Sequence, residues 1–179
     1  MYIVPVLNDP NTGTLIKESL EIAAYLDKTY PAKPIFPHGS KMLICVFDFA
    51  YLDGAHPIVR LILVRTAEIL NPVSEEFFRR TRSKRLQLPW EEFSPEGPKR
   101  DGDWACLEQG FNKGEELRAK CGGRWVMGDT FSYADIIVAC RLFWLKRVLK
   151  EDEWARISSW NGGRWAKVLD DVQKECHLA

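Results

Sequence analysis

The chain has 179 residues, enough for one large domain or two small ones around a sizeable core. Hydrophobic residues make up 46% of the chain and aromatic residues 12%, which excludes an intrinsically disordered protein. Because 25 Lys and Arg side chains balance 25 Asp and Glu side chains, the formal net charge is zero, which argues against a broad basic surface for nucleic acid.

The first 30 residues predict a β-hairpin followed by a helix. Tyr2 to Leu7 has strand chemistry, and residues 14–16 form a second short apolar run. The Asp-Pro-Asn-Thr-Gly sequence at 9–13 supplies the proline and glycine of a turn. From Ser19 the apolar residues recur at helical spacing, and this helix should end before Pro31, because the residue before a proline is pushed out of the α region.

Residues 31–40 hold three prolines and a glycine, a composition typical of an ordered linker. We place the domain boundary there, with one region at 1–30 and a second, all-helical region at 41–179.

Specific residues set the expected limits of those helices. A break is expected where Asp53-Gly54 and His56-Pro57 interrupt a long apolar stretch. A basic helix follows from Pro72 to about Lys84, and residues 94–102 have the composition of a loop. The next helix is predicted at 104–120.

Ser132 and Asp135 predict a capping box at the start of a later helix. The spacing lets the Asp135 carboxylate accept from the Ser132 backbone N–H, while the Ser132 hydroxyl faces the N–H of Asp135. Because capping explains both residues without chemistry, we interpret Asp135 as structural.

In chain order, these features resemble the glutathione S-transferase family. The resemblance comprises Val4-Pro5, Glu18-Ser19 before a helix, the proline-rich linker, and the segment GDTFSYADIIVA at 128–139, which looks like the capped buried helix of that family. It implies an α+β fold: a partial thioredoxin-like β-hairpin plus helix, followed by an all-α domain of about five helices. The segment ILNPVSEEFFRRTR at 69–82 is most similar to fungal members.

The resemblance also implies a glutathione site, with glutathione as co-substrate. A proline matching Pro5 takes a cis peptide bond in the family, and the backbone of the preceding residue, here Val4, pairs with the cysteinyl part of glutathione. Glu18 and Ser19 match the pair that holds the γ-glutamyl end. Independently, a helix N-terminus at Ser19 favours a carboxylate, and the Glu18 side chain offers an anion to an ammonium group.

Each feature has a structural explanation when taken alone. A Glu-Ser pair before an apolar helix is often only a helix cap, and a proline in a strand is often a trans residue at a sheet edge. Their joint occurrence in this order favours the glutathione interpretation.

The sequence also departs from the family pattern. In the family, a βαβ unit of about 30 residues precedes the Val-Pro strand and carries the catalytic Ser, Tyr or Cys. Tyr2 does not match that residue, so we leave the catalytic residue unassigned and expect the 179-residue chain to be weakly active or inactive. The strand from Tyr2 would present an apolar edge, so either the chain is truncated or another segment or subunit covers it.

Other candidate chemistry has little support. Three dispersed histidines without a Cys/His cluster do not predict a metal site: His38, His56 and His177. The basic run Arg79–Arg85 is interpreted as a solvated helix face. Cys140 is expected to be buried, and no base is placed near it or near Cys45, so no catalytic thiol is assigned.

The cysteine pattern and the lack of targeting segments favour a soluble protein of the cytoplasm. No apolar run reaches the length of a membrane span, and the N-terminus lacks a signal-peptide pattern. Five dispersed cysteines without a C-x-x-C pair suit reduced thiols: Cys45, Cys106, Cys121, Cys140 and Cys176.

Two functions remain open. The first is a glutathione transferase, a detoxification enzyme acting on small hydrophobic or aromatic electrophiles, expected as a homodimer without nucleic-acid or membrane partners. Phe47, Tyr51 and His56 would then form the wall of the hydrophobic substrate site. The second is a non-catalytic module that binds glutathione or another ligand and has lost the thiol-activating half.

Overall fold

The structure, a computed structural model, describes residues 4–54 and 58–177. Within these residues the chain forms a two-stranded antiparallel sheet and seven α-helices. The strands are β1 (Val6–Asp9) and β2 (Thr14–Lys17), and the helices are α1 (Ser19–Thr29), α2 (Lys41–Gly54), α3 (Val59–Glu68), α4 (Pro72–Leu86), α5 (Pro98–Cys121), α6 (Tyr133–Val148) and α7 (Glu151–Glu175). The α+β fold class is confirmed.

The hairpin is shorter at its start than the sequence predicts. Tyr2 lies outside the described residues, and Val4 and Pro5 precede β1, which begins at Val6. The predicted turn is present: the Gly13 N–H donates to the Asp9 carbonyl oxygen at 2.9 Å, and Gly13 takes a φ of 70° that its lack of a Cβ permits.

The helical region contains six α-helices among the described residues from 41 to 177, one more than expected. The predicted loop at 94–102 is wrong in its second half, because α5 already begins at Pro98. Proline is tolerated in the first turn of a helix, where its missing N–H has no partner to lose. Helix α7 is kinked at residues 160–163, which have non-helical dihedral angles.

The core of the helical region lies between α3, α5, α6 and α7. Its fully buried side chains include Leu61, Leu142 and Ile157, each no more than 1% exposed. An ion pair joins α3 to the start of α7: the buried Arg65 guanidinium meets the partly buried Glu153 carboxylate at 2.5 Å.

The proline-rich linker is ordered and connects the hairpin region to the helices. The Ile35 N–H donates to the Asp27 carboxylate on α1 at 2.5 Å, and the Ile35 carbonyl oxygen accepts from the Tyr133 N–H on α6 at 2.8 Å. Phe36 is buried and packs on Tyr133, with ring centroids 5.2 Å apart. These contacts hold α1 against α6; the division into domains at this linker stays a prediction.

The predicted capping box at the start of α6 is confirmed. The Asp135 carboxylate accepts from the Ser132 N–H at 2.9 Å, from the Ser132 hydroxyl at 3.0 Å and from the Val126 N–H at 2.7 Å. Burial raises the pKa of Asp135, and these hydrogen bonds oppose that shift. Asp135 therefore fixes both the helix start and the preceding loop.

No helix among the described residues is both long and apolar enough to cross a membrane.

We expect Asp135→Ala to lower the free energy of unfolding by about 2–3 kcal/mol, because it leaves buried donors without an acceptor. Urea unfolding followed by circular dichroism measures the change. Asp129→Ala is the matched control, since Asp129 is exposed in the same loop and should change stability by less than about 0.5 kcal/mol. Equal stability of the two variants would contradict the structural role of Asp135.

Candidate functional site

The hairpin register brings the two sequence motifs to the same end of the sheet. Val6 pairs with Lys17 at the open end of the hairpin. Because the strands are antiparallel, Val4-Pro5 directly before Val6 and Glu18-Ser19 directly after Lys17 lie beside each other. The predicted cis bond between Val4 and Pro5 is present, and Val4 is 88% exposed.

The Glu18 side chain is exposed and the Glu18 backbone has an unusual conformation. Its φ of 68° with a ψ of 128° is unusual for a residue with a Cβ, and such conformations cluster at binding sites. Glu18 takes the N-cap position of α1, but its side chain makes no capping hydrogen bond among the described residues. The exposed Glu18 carboxylate therefore does not cap the helix, which argues against a purely structural role for this residue.

Ser19 is the first residue of α1 and lines a pocket of about 240 Å³. The pocket is formed where α1, α2 and α6 meet. Its polar groups belong to Ser19, Asp48 and Tyr133, and Cys45 also lines it. Burial raises the pKa of Tyr133, so this hydroxyl is a neutral hydrogen-bonding group at neutral pH.

A buried carboxylate holds the hairpin turn against α1. Asp9 is 5% exposed and accepts from the Tyr25 hydroxyl at 2.7 Å and from the Tyr30 hydroxyl at 2.8 Å. It also accepts from the Asn11 N–H at 2.9 Å within the turn. The tyrosine hydroxyls, Tyr25 first, lower the pKa of Asp9. This network fixes the angle between the sheet and α1, and so the position of Glu18.

The substrate wall of Phe47, Tyr51 and His56 stays a prediction. Phe47 and Tyr51 stack with ring centroids 5.6 Å apart and line a different cavity of about 280 Å³. Burial raises the pKa of Tyr51 to about 12, so its hydroxyl is no base for a thiol at neutral pH. His56 lies outside the described residues.

The cysteines are all unpaired, and one prediction about them is wrong. Cys140 is exposed rather than buried, although it lies on α6, because that helix turns one face outward at this position. Cys45 is half-buried at the pocket beside Ser19.

The family model described as "Glutathione S-transferase, C-terminal domain" matches residues 43–174. The chain belongs to the glutathione S-transferase family. The glutathione S-transferase CsGST83044 of Ceriporiopsis subvermispora, solved in complex with glutathione, is 37% identical with a TM-score of 0.89, covering 97% of this chain and 72% of that one. The glutathione transferase GSTFuA2 of Phanerochaete chrysosporium is 32% identical with a TM-score of 0.79, covering 97% of this chain and 71% of that one.

A curated relative gives the same assignment. The glutathione S-transferase-like protein ustS of Aspergillus flavus is 29% identical over 180 residues, which is 92% of this chain. The chain spans 64% of that relative's length. The resemblance to fungal members of the family, deduced from the sequence, agrees with these fungal relatives.

Several residues of the site were not identified from the sequence. Asp9 was read only as a turn residue, and its tyrosine partners on α1 have no local motif, because they meet it from 16 and 21 residues away. Asp48 and Tyr133 come to Ser19 from α2 and α6. The only available signal was the helical spacing that places Tyr25 on the same face as other partly buried residues of α1.

We expect Tyr25→Phe to destabilise the protein at neutral pH and to do so less in acid. A carboxyl whose folded-state pKa is lowered contributes stability above its unfolded value of about 3.9, and loses it as the pH falls through the folded value. Urea unfolding from pH 7 down to about pH 3 should therefore show the difference between wild type and Tyr25→Phe shrinking below about pH 4.

Tyr51→Phe serves as the control, because its hydroxyl lies on α2 and not at Asp9. If the stability difference between wild type and Tyr25→Phe stayed constant across this pH range, the Tyr25 hydroxyl would not stabilise the protein through the Asp9 carboxylate.

Proposed function

We propose that this chain binds glutathione at the open end of the hairpin, and that the protein transfers glutathione to small hydrophobic or aromatic electrophiles. The observation that carries the proposal is the adjacency of Val4-Pro5 and Glu18-Ser19, given by the Val6–Lys17 register. Glutathione has an α-amino-acid end, and Glu18 with the N-terminus of α1 matches its ammonium and carboxylate groups.

The relatives support glutathione as the ligand. The matching Ceriporiopsis subvermispora structures were both solved in complex with glutathione. The pocket beside Ser19 is large enough for part of such a ligand and combines the exposed apolar ring of Phe49 with the Asp48 carboxylate. Glutathione is therefore proposed as the co-substrate of this site.

No described residue is assigned as the group that activates the thiol. Tyr51 is not assigned this role because it lines another cavity. Cys45 does line the Ser19 pocket, but no described histidine lines that pocket to act as its base, so no nucleophilic role is assigned to it. A second candidate function, non-catalytic binding of glutathione, is favoured by this observation.

Glu18→Ala and Ser19→Ala should each weaken glutathione binding by about 1–3 kcal/mol, the usual loss for a hydrogen bond to a charged group. Isothermal titration calorimetry with reduced glutathione measures the affinity. Glu21→Ala, an exposed residue one turn further along α1, is the control and should leave affinity within about twofold. Unchanged affinity in both variants would show that Glu18 and Ser19 have only a structural role.

A homodimer is proposed for the same protein, together with a cytoplasmic location that the unpaired cysteines support. One face of α2 exposes Met42 at 74%, Val46 at 58% and Phe49 at 76%. These positions recur at helical spacing and form an apolar stripe of the kind that self-association covers.

Phe49→Asp should therefore shift the protein from about twice the chain mass of 20.6 kDa to the mass of one chain. Size-exclusion chromatography with light scattering measures the mass. Val73→Asp, which changes an 80% exposed residue on α4, should leave it unchanged. A wild-type protein that is monomeric at micromolar concentration would contradict the dimer.

A further inference from the structure

Helix α4 concentrates positive charge although it contributes no buried side chain. None of its 15 residues is buried. Its sequence, PVSEEFFRRTRSKRL, holds five arginine and lysine side chains against two glutamates, a formal charge of +3. In the whole chain the two signs balance at 25 each. Because most helices in proteins are stabilised by burying one face, packing on the core does not explain the composition of this helix.

The outward side of α4 is a single stripe, called the outer stripe here. Its four exposed residues recur at helical intervals: Val73, Phe77, Arg80 and Lys84. At about 100° per residue these intervals keep the side chains on one side of the helix. Val73 is 80% exposed and Phe77 is 58% exposed. The outer stripe therefore begins with apolar side chains and ends with cations.

The cations of the outer stripe have no anionic partner among the described residues. The one ion pair that α4 forms there joins Glu75 to Arg79 at 2.6 Å. The Arg80 guanidinium lies 5.9 Å from the centre of the Phe77 ring instead. The helix dipole favours Lys84 in the last turn, but it accounts neither for Arg80 nor for an exposed phenyl ring. A partner with carboxylates would satisfy both cations.

A different set of side chains holds α4 in place. The Arg79 guanidinium lies 4.8 Å from the centre of the Trp90 ring, and that of Arg82 lies 4.5 Å from the centre of the Phe78 ring. Phe78 and Trp90 also meet edge to face, with ring centroids 6.4 Å apart. The outer stripe takes no part in these contacts, so its residues can be changed while the helix stays anchored.

The exposed carboxylate of Glu76 distinguishes between possible partners. Glu76 lies at the apolar end of the outer stripe, whereas Arg80 and Lys84 lie at the other end. A uniform polyanion along the helix, whether an anionic bilayer or a nucleic acid, would meet this carboxylate as well as the cations, and like charges repel. A protein segment can place its carboxylates opposite the cationic end alone.

We propose that the outer stripe docks an acidic amphipathic segment of a partner protein. The apolar side chains of that segment pack on Val73 and Phe77, and its carboxylates pair with Arg80 and Lys84. No residue of α4 lines the pocket beside Ser19. This interaction surface is therefore separate from the proposed glutathione site and does not depend on it.

Fluorescence anisotropy with a labelled synthetic peptide of repeated Glu-Glu-Leu-Leu units tests the proposal. A peptide of repeated Lys-Lys-Leu-Leu units is the control, because it has the same apolar side chains and the opposite charge. We expect the acidic peptide to bind at least about tenfold more tightly, and its affinity to fall as salt screens the charges. No binding at about 1 mM acidic peptide, or equal affinity for the two peptides, would overturn the proposal.

Phosphatidylserine vesicles and oligothymidylate are measured on the same protein as alternative anionic partners. We expect the acidic peptide to compete with neither, because neither should bind the outer stripe. Tighter binding of vesicles or oligothymidylate than of the acidic peptide, lost in Lys84→Glu, would overturn the assignment to a protein partner.

A matched pair of variants locates the surface. Lys84→Glu should weaken binding of the acidic peptide at least about fivefold, because it replaces an attraction with a repulsion. Lys120→Glu makes the same change at an exposed lysine in the last turn of α5 and should keep affinity within about twofold. Equal effects of the two would overturn the proposal.

Phe77→Ala is a second variant, which alters the apolar end without changing the charge. It should weaken binding of the acidic peptide at least about threefold, and unchanged affinity would contradict the role of the apolar end. Titration with glutathione separates the two proposals, because Lys84→Glu should leave glutathione affinity unchanged. A protein that binds the acidic peptide but not glutathione would refute the proposed function alone, and the reverse result would refute this proposal alone.

Discussion

The Asp135 carboxylate is the interaction on which the arrangement of both cavities depends. By accepting from Ser132 and Val126 it fixes the first turn of α6 and the loop that leads into it. Tyr133, the next residue after Ser132, faces the pocket at Ser19, and Asp135 itself lines the second cavity, the one of about 280 Å³. The hydrogen bonds of the Asp135 carboxylate offset the cost of burying it. This one side chain therefore sets the positions of groups in both cavities.

Helix α2 then divides the space that α6 helps to define. Its residues belong to two buried clusters, because Phe47 packs against the helical core and also against the cluster around Ala23 and Phe36. Conjugation needs the electrophile close to the glutathione thiol. Residues that line the Ser19 pocket and residues that line the second cavity lie on different faces of this one helix, so a ligand of the second cavity would not share the Ser19 pocket.

Local patterns in the sequence predicted the features that depend on neighbouring residues. The turn at Gly13, the end of α1 before Pro31 and the capping box at Ser132 follow from backbone preferences of a few residues, and each is present. The start of α5 was missed because a proline that reads as a loop signal stands in the first helical turn.

Contacts between distant segments could not be predicted in this way. The tyrosine hydroxyls on Asp9 come together with it only through tertiary packing, as do Arg164 and Trp125, and no spacing in the sequence encodes these contacts. For the same reason the sequence does not show which cavity Phe47 and Tyr51 line: helical periodicity places them on one face of α2 but does not say which space that face meets.

The central claim is that glutathione binds at the open end of the hairpin and not in the cavity lined by Trp125 and Trp165. Amide chemical-shift mapping with glutathione on isotope-labelled protein tests this claim most directly. We predict that the largest shifts fall on Val4, on Glu18 to Leu20 and on Tyr133. Shifts centred on Trp125 and Trp165, with Glu18 and Ser19 unchanged, would contradict the account.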